Sequence, residues 1–450
     1  MSAPLQFTKA LAGDLGVTIA DLLVAARGND PYSFGTPTHY RDAEWFRAMV
    51  EDIGPRQGMH LRGLHYQIMS RESLKPDGST YRNTDADWRY LTMASKAARI
   101  LGLVDPLMFV DRRNAEPQIF RFDGDEEEDG YHVPLADQWR VRGIDPDLPL
   151  PSLMLPGPAL TGYHYSGGDQ PYRIEVWCEK STMNHVLMPI CRSYGAALVT
   201  SAGFQSMTSA VELLRRACDK PTHVIYIADM DPAGIKMPQS VARQVQFQRE
   251  RCGRHGPRIT IEHLLLKPET VEQFNLPPVP IKDTDRRRDN FEARHGEGAV
   301  ELDALEALHP GALKDIVRQA VQRFWDDDLQ LATRDAVEAV ESLLDAAWSG
   351  ASAGISDRLA EARDQAAAVY AKHQPRLQQI ADAMVADLEP INSELESVWQ
   401  EYVELVGNFE VDLPGRPEAL VEGPPADPLY DSDRGHEQQL LAYRRHESLR

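Results

Sequence analysis

The stretch HVIYIADMDPAGIKM, residues 223–237, decides how the chain is read. An apolar, strand-forming run ends in two carboxylates, Asp229 and Asp231, one residue apart, and Pro232, Ala233 and Gly234 follow. A short apolar run bounded by turn residues is the pattern of a strand buried on both faces. In open α/β sheets, functional groups gather beyond the carboxyl ends of the strands. Taken alone, two acids beside a helix start are most often a cap or plain surface. The flanking sequence must decide.

Strand and helix patterns alternate on either side. YRIEVWCE (172–179) reads as a strand, STMNHVLMPICRSYG (181–195) as a helix and AALVTSAG (196–203) as a strand. SMTSAVELLRRACD (206–219) is a helix and THVIYIAD (222–229) the third strand; a helix from 233 and the strand RITIEHLLL (258–266) complete the series. Such alternation predicts a parallel, Rossmann-like sheet covered on both faces, an α/β fold, over residues 171–327, the last part being added helix that begins EGAVELDALEALHP (297–310). Glu179 ends the first strand and Asp229 and Asp231 end the third. Alternate residues of an extended segment point to the same side, so the two aspartates can share one ion. A hard cation such as Mg²⁺ takes oxygen ligands and usually keeps water and phosphate in its shell. Without a cation, three clustered carboxylates repel and one tends to bind a proton. A phosphatase-type DxD is the rival, but it belongs on the first strand, usually with Thr after the second aspartate.

Residues 1–150 read as mainly helical. TDADWRYLTMASKAARILGLV places Trp88, Leu91, Ala94, Ala98 and Leu101 at helical spacing, with Asp85 as N-cap and Gly102 as stop. Helix, turn, helix and two extended pieces (PLMFVDRR and PQIFRFDG) fit a winged helix or a generic helical domain. The acidic run DGDEEEDG (123–130) and the Pro-rich residues that follow read as a linker, with 151–170 assigned to it. Residues 328–406 carry long helical periodicity, expected as two helices broken near SGASAG (349–354) in a hairpin or coiled-coil arm. Residues 407–450, Pro-rich and acidic, are expected to be a loosely ordered tail.

Glu179 in CEK, Gly203 in VTSAGFQS, and Asp229 with Asp231 in DMDPAG together resemble the Toprim fold of topoisomerases, primases and related nucleases, over residues 171–265. AGFQSMTSAVELL and DMDPAGIKM are most similar to the topoisomerase VI A subunit and its meiotic double-strand-break relative. In that group a winged helix precedes the Toprim domain and carries a nucleophilic tyrosine, four residues after an Arg and preceded by another aromatic. LRGLHYQIM supplies Arg62 and Tyr66, with His65 in place of the usual aromatic. The resemblance thus implies that Tyr66 attacks a phosphodiester, that Arg62 holds the phosphate, and that Glu179, Asp229 and Asp231 bind one or two Mg²⁺ ions. It also implies a homodimer, because each tyrosine works with the partner's metal, and a separate ATPase subunit for strand passage. A phenol titrates near 10, so attack needs a base or cation, and His65 is the candidate base or a packing residue.

DNA is the expected partner. Candidate contacts are Arg89, Lys96, Arg99, Arg112 and Arg113, then Arg286, Arg287 and Arg288, with Arg294 beside them. The formal net charge of −21 counts against it, since duplex affinity comes largely from phosphate neutralisation. The charge is uneven: residues 331–450 hold 10 Lys and Arg against 23 Asp and Glu. Three functions therefore stand: a Mg²⁺-dependent DNA-cleaving transesterase, a Toprim nuclease acting on DNA or RNA with metal-activated water, and a non-catalytic nucleic-acid- or partner-binding protein. No apolar run reaches the roughly 20 residues of a membrane span. The first residues lack a secretory-signal plan, and Cys178, Cys191, Cys218 and Cys252 form no CxxC pair. A cytoplasmic, nucleoid-associated protein is expected. ARGNDPYSFGTPTHYRDAEWF (26–46) reads as an ordered structural loop before a helix, or as an arm for DNA or a second subunit.

Overall fold

A computed structural model of the chain describes residues 4–56, 58–109, 116–122, 128–142, 152–201, 207–253, 255–283, 285, 287–373 and 381–448. Gly203, Arg112, Arg113 and Arg286 lie outside the described residues. The strands are β1 (Gln118–Ile119), β2 (Gly130–His132), β3 (Ala159–Thr161), β4 (Arg173–Cys178), β5 (Ala197–Thr200), β6 (Thr222–Ile227), β7 (Ile259–Leu265) and β8 (Tyr430–Asp431). The first helices are α1 (Pro4–Leu15), α2 (Pro37–Ile53), α3 (Leu61–Ser70), α4 (Asp85–Leu101), α5 (Asn184–Ser193), α6 (Met207–Arg216) and α7 (Lys236–Arg251). They are followed by α8 (Pro268–Phe274), α9 (Arg288–His295), α10 (Leu302–Leu308), α11 (Ala312–Gln322), α12 (Leu329–His373), α13 (Ala381–Asn408) and α14 (His436–Ser448). Two compact units divide them. One gathers Met1–Phe122, Gln170–Asp326 and Leu420–Arg450; the other holds Asp123–Asp169 and Asp327–Ala419.

The first unit is built on a six-stranded sheet in the order β1-β5-β4-β6-β7-β8. The four inner strands are parallel, as the strand–helix alternation predicts, and β1 and β8 close the two edges antiparallel. Side chains alternate between two cores. Ile174, Val176, Cys178, Ile225 and Ile227 face Leu187 and Ile190 of α5 and Leu313 and Val317 of α11. Trp177, Val224 and Tyr226 face Leu213 of α6, Val241 and Val245 of α7, and Tyr443 of α14. Both faces are covered, so the inner strands read as continuous apolar runs.

The order matters for function. β5 lies on one side of β4 and β6 on the other, so the chain reverses its direction of progress between β4 and β6. A crevice opens at such a reversal, beyond the carboxyl ends of the two strands. Glu179 follows β4, and Asp229 and Asp231 follow β6.

The helices before the sheet pack around Phe34, Phe46, Leu64, Ile68, Tyr81 and Leu91, and Met207 and Phe247 join the same core. Thr84, not Asp85, caps α4: its hydroxyl accepts from Asp87 N at 3.1 Å, and Asp85 is the first helical residue. Gly102 ends α4 in the left-handed region at φ 78°, as expected of a helix stop. The extended piece PQIFRFDG is not a wing. Its strand β1 pairs Gln118 with Leu198 and Ile119 with Ala197, which makes it an edge of the main sheet.

The acidic stretch expected as a loose tail is ordered over β8 and α14. Tyr430 opposes Ile261 of β7, and Leu429, Leu440 and Tyr443 are buried in the sheet's second core. Burying an aliphatic side chain stabilises by roughly 1.5–3 kcal/mol. A few well-spaced apolar residues therefore outweigh an acidic composition.

In the second unit α13 pairs with the later part of α12, and Arg358 bonds Glu394 while Lys372 bonds Asp387, an antiparallel register. Trp348, Ile355 and Leu359 of α12 and Leu388, Leu395 and Tyr402 of α13 form the seam, with Trp139 and Val141 against them. The expected break at SGASAG is absent: α12 is one helix of 45 residues. Gly350 and Gly354 fall on its exposed side, while Trp348, Ser352 and Ile355 are buried. Glycine costs about 1 kcal/mol in a helix, less than this burial returns. β2 and β3 pair antiparallel as a small two-stranded sheet, so part of the expected linker 151–170 is strand.

Candidate metal centre

The segment after β6 is held open by backbone bonds on both sides. Ala228 N donates to Leu265 O at 2.7 Å, and Met230 exchanges two bonds with Val300. Asp229 is thereby carried beyond the strand in extended form. After β4, Glu179 N donates to Ile227 O at 3.0 Å, and the Glu179 Oε2 accepts from Asp229 N at 3.2 Å. The two strand ends at the chain reversal are thus joined through a carboxylate.

DPAG is a tight turn. Asp231 Oδ1 accepts from Ala233 N at 2.7 Å and Gly234 N at 2.6 Å, so this oxygen caps the turn that leads into α7. The turn folds back so closely that a Cβ at Gly234 would stand 2.1 Å from Asp229 O. Only glycine fits that position. Asp231 thus caps this turn through one oxygen and not α7 itself, whose N-cap Ile235 carries no side-chain bond; among the described residues Asp231 Oδ2 and Glu179 Oε1 accept no hydrogen bond.

Asp229 is engaged on both oxygens. Oδ1 accepts from Leu302 N at 2.7 Å, at the start of α10, and Oδ2 lies 3.0 Å from the Lys180 ammonium. The same ammonium pairs with Glu301 at 3.2 Å and with Asp303. Burial, with the nearby negative charge of Asp229 and then Asp231, pushes the Glu179 carboxyl up to about 7. Burial also raises Asp229, against the lowering pull of the Leu302 N–H and Lys180. Burial works against the charge on Lys180, but its bonds to Asp303, Asp229 and Glu301 overcome it and hold the ammonium well above its ordinary range. Arg287 is clamped by Asp285 at 2.7–2.9 Å and also feels the Asp231 carboxylate.

Six carboxylates, Asp285 included, against Lys180 and Arg287 leave an excess of negative charge. Glu179, Asp229 and Asp231 are neighbours, as expected, but among the described residues no three acidic, His or Cys groups converge on one point as a ready-made ion shell. Their oxygens are engaged instead by the backbone N–H groups of Asp229, Ala233, Gly234 and Leu302 and by the Lys180 ammonium. The donor set itself fits Mg²⁺, which needs only one or two carboxylates plus water. Glu301, Asp303 and Lys180 were not singled out in the sequence. The paired bonds of Met230 with Val300 and the Asp229–Leu302 bond bring ELD to the site.

Tyr66 lies on the exposed side of α3, 51% accessible, one turn after Arg62. The Arg62 guanidinium stacks on the Trp88 ring at 4.8 Å. His65 is buried with its ring 5.2 Å from the Tyr66 ring, but both of its nitrogens are engaged elsewhere: Nδ1 contacts the Tyr81 hydroxyl at 2.6 Å and Nε2 contacts Asn83 Oδ1 at 3.2 Å. It is a packing residue and not a base for Tyr66.

The basic residues differ in availability. Arg89 is exposed on α4. Lys96 is committed to Gly28 O at 2.8 Å and Asn29 Oδ1 at 2.7 Å, and burial beside Arg99 lowers its ammonium to about 8. Arg99 Nε turns back to Ser95 O. Arg287 is held by Asp285, and Arg288 by Asp283 and Glu292. Most of these cations serve the fold.

The loop 26–46 is structural. Asp30 is fully buried, accepts from Val24 N, Ala25 N and Tyr32 N, and pairs with Arg243 of α7 at 3.3 Å.

No protein-family model matches the chain, and no curated protein matches it significantly.

Proposed function

We propose that the chain is a Mg²⁺-dependent DNA-cleaving protein of the topoisomerase VI A-like type, with a Toprim domain preceded by a helical DNA-binding domain, Tyr66 as covalent nucleophile and Glu179, Asp229 and Asp231 as ion ligands. The observation that carries the reading is the contact between Glu179 and Asp229 at the reversal of strand order, with charge in excess and two carboxylate oxygens open. Bound there, Mg²⁺ supplies polarisation of a phosphoryl oxygen and stabilisation of the leaving oxygen. Glu179 Oε1 and Asp231 Oδ2 would hold it, beside Asp229, whose position the backbone bonds fix.

Tyr66 presents its hydroxyl to solvent on the same helix face as Arg62. Arg62, steadied on Trp88, holds a phosphate beside the phenol by charge-assisted bonds. The Tyr66 oxygen forms a bond to phosphorus and loses its proton; the phosphorus–O3′ bond breaks and the 3′ oxygen gains one. A homodimer brings the partner's ion site to this tyrosine, and a separate ATPase subunit serves strand passage. Arg89 is an exposed contact for the DNA.

The commitment of His65 to Tyr81 and Asn83 favours a second reading, in which water replaces Tyr66 and Glu179 takes its proton in a Toprim nuclease. The test is supercoiled DNA incubated with the chain and Mg²⁺, run on denaturing gels with and without protease. Tyr66 is expected to yield a protein–DNA adduct that is absent in Tyr66→Phe and Asp229→Ala. Cleavage by Tyr66→Phe without adduct establishes hydrolysis instead. Absence of cleavage, with no effect of Mg²⁺ on the melting temperature, leaves a binding protein.

A further inference from the structure

Lys180 follows the candidate ligand Glu179 directly, yet its ammonium turns to three other carboxylates. Nζ lies 3.0 Å from Asp229 Oδ2, 3.2 Å from Glu301 Oε2 and in contact with Asp303 Oδ2. One ammonium neutralises one carboxylate, so a purely structural pair needs a single partner. Here three converge on one cation, which leaves two negative charges over.

The three partners are unequal. Asp229 is nearly buried, fixed by the Leu302 N–H, and stands beside Glu179. Glu301 and Asp303 are about half exposed, flank the first turn of α10, and bond neither Glu179 nor Asp231. Thr182 Oγ1 supports Asp303 at 3.4 Å. The lysine stem is flexible and an ammonium has no preferred bonding geometry beyond its three donors. It can therefore leave Asp229 and keep the outer pair. A divalent ion on Asp229 would meet the ammonium at close range, where like charges repel strongly.

We infer that Lys180 is a built-in competitor for the divalent ion: it holds Asp229 while the site is free of metal and passes to Glu301 and Asp303 when the ion binds. This rests on the proposed ion site. The arrangement keeps the buried acids neutralised in the resting protein and sets a threshold concentration for the cation. Glu301 and Asp303 are the receiving station, and their charge determines how readily Asp229 is released.

The test measures Mn²⁺ binding to the full chain by loss of the free aquo-ion's paramagnetic resonance signal, and in parallel the Mn²⁺ dependence of the melting temperature. The chains compared are the wild type, Lys180→Met, Lys180→Gln, the double variant Glu301→Gln/Asp303→Asn, and that double variant combined with Lys180→Met. Both Lys180 variants should bind Mn²⁺ about tenfold more tightly, the size of an ordinary coupling between two sites. The double variant should bind more weakly, because Lys180 is then left wholly on Asp229, and this weakening should vanish when Lys180 is Met. Unchanged or weaker binding by folded Lys180 variants, with wild-type binding intact, overturns the competition and leaves the ion site standing. A double-variant weakening that persists without Lys180 also overturns it, since it then reflects only long-range attraction by the two acids. Mn²⁺ bound by none of these chains removes the ion site itself.

Discussion

The backbone N–H of Asp229 donates to Oε2 of Glu179 at 3.2 Å, joining the ends of two neighbouring strands across 50 residues of sequence. The bond holds Glu179 beside two other acids; burial first, and then the charges of Asp229 and Asp231, raise its carboxyl from 4.5 to about 7 against the lowering effect of the bond itself. The folded protein therefore binds more protons than the unfolded chain between those values, and stability must fall as pH rises through that window. Below about pH 4.5 Glu179 is protonated in both states and costs nothing. In metal-free buffer, Glu179→Gln should melt higher than wild type at pH 7.5 and above. At 1.36 kcal/mol per unit the shift is worth about 3 kcal/mol, reduced to about 1–2 kcal/mol for screening by solvent. The gain should vanish at pH 4.5, because Gln keeps the acceptor for Asp229 N. Parallel pH profiles for the two proteins would remove the electrostatic account of this crevice.

Gly234 tests the turn that follows. A methyl group there would meet Asp229 O at 2.1 Å, and the object in its path is backbone, which cannot rotate aside. Gly234→Ala should therefore destabilise by about 1–3 kcal/mol, the ordinary cost of overpacking. It should also pull the Asp231 carboxylate off the Ala233 and Gly234 amides and weaken any divalent-ion effect on melting. Gly350→Ala, placed where a Cβ meets nothing within 4 Å, is the control. A Gly234→Ala protein with wild-type stability and ion response would show that the close approach does not constrain the site.

The sheet was legible because its inner strands are apolar on both faces and separated by clear helices; YRIEVWCE and THVIYIAD announce both themselves and the acids beyond them. The edges were not. Gln118–Ile119 and Tyr430–Asp431 are two residues each, too short for any periodicity, and they are specified by partners far away in the sequence. Helix α7 misleads in the opposite way. Its Arg243, Gln244, Gln246, Gln248 and Arg249 look like a solvated face but are buried, and Arg243, Gln244 and Gln246 find polar partners on other elements. Gln246, for example, contacts His436 Nδ1 at 3.0 Å and accepts from the Tyr443 hydroxyl at 3.3 Å. Of the candidate site, the three acids were visible and the lysine that holds one of them was not, since its partners Glu301 and Asp303 are set by tertiary structure alone.

Arg243 supplies a stability prediction of a different kind. Its guanidinium pairs with the fully buried Asp30, donates to Leu22 O at 3.0 Å, and lies 3.9 Å over the Tyr32 ring. Arg243→Met leaves the Asp30 charge buried with only backbone N–H groups around it. Removing one partner of such a pair typically costs 3–5 kcal/mol, to be read from urea denaturation. Asp30→Asn/Arg243→Met should cost less than the sum of the two single variants, because the second change removes the charge that the first stranded. Additive costs would mean that the pair does not act as one unit.

The long helix α12 gives the opposite sign. Gly350 and Gly354 are one turn apart on its exposed side, and a Cβ at either meets nothing within 4 Å. Neither carries a positive φ, so alanine adopts the same backbone without strain. Glycine at these positions only enlarges the freedom lost on folding, and each replacement by alanine should stabilise by about 0.4–1 kcal/mol. The two changes act through the unfolded chain and share no partner, so Gly350→Ala/Gly354→Ala should gain about the sum. Thermal melting followed at 222 nm reads the helical signal that α12 dominates in its unit. A loss on either substitution would mean that the helix bends or is contacted at SGASAG. The sequence reading of a break there would then describe the protein in solution better than one continuous helix of 45 residues.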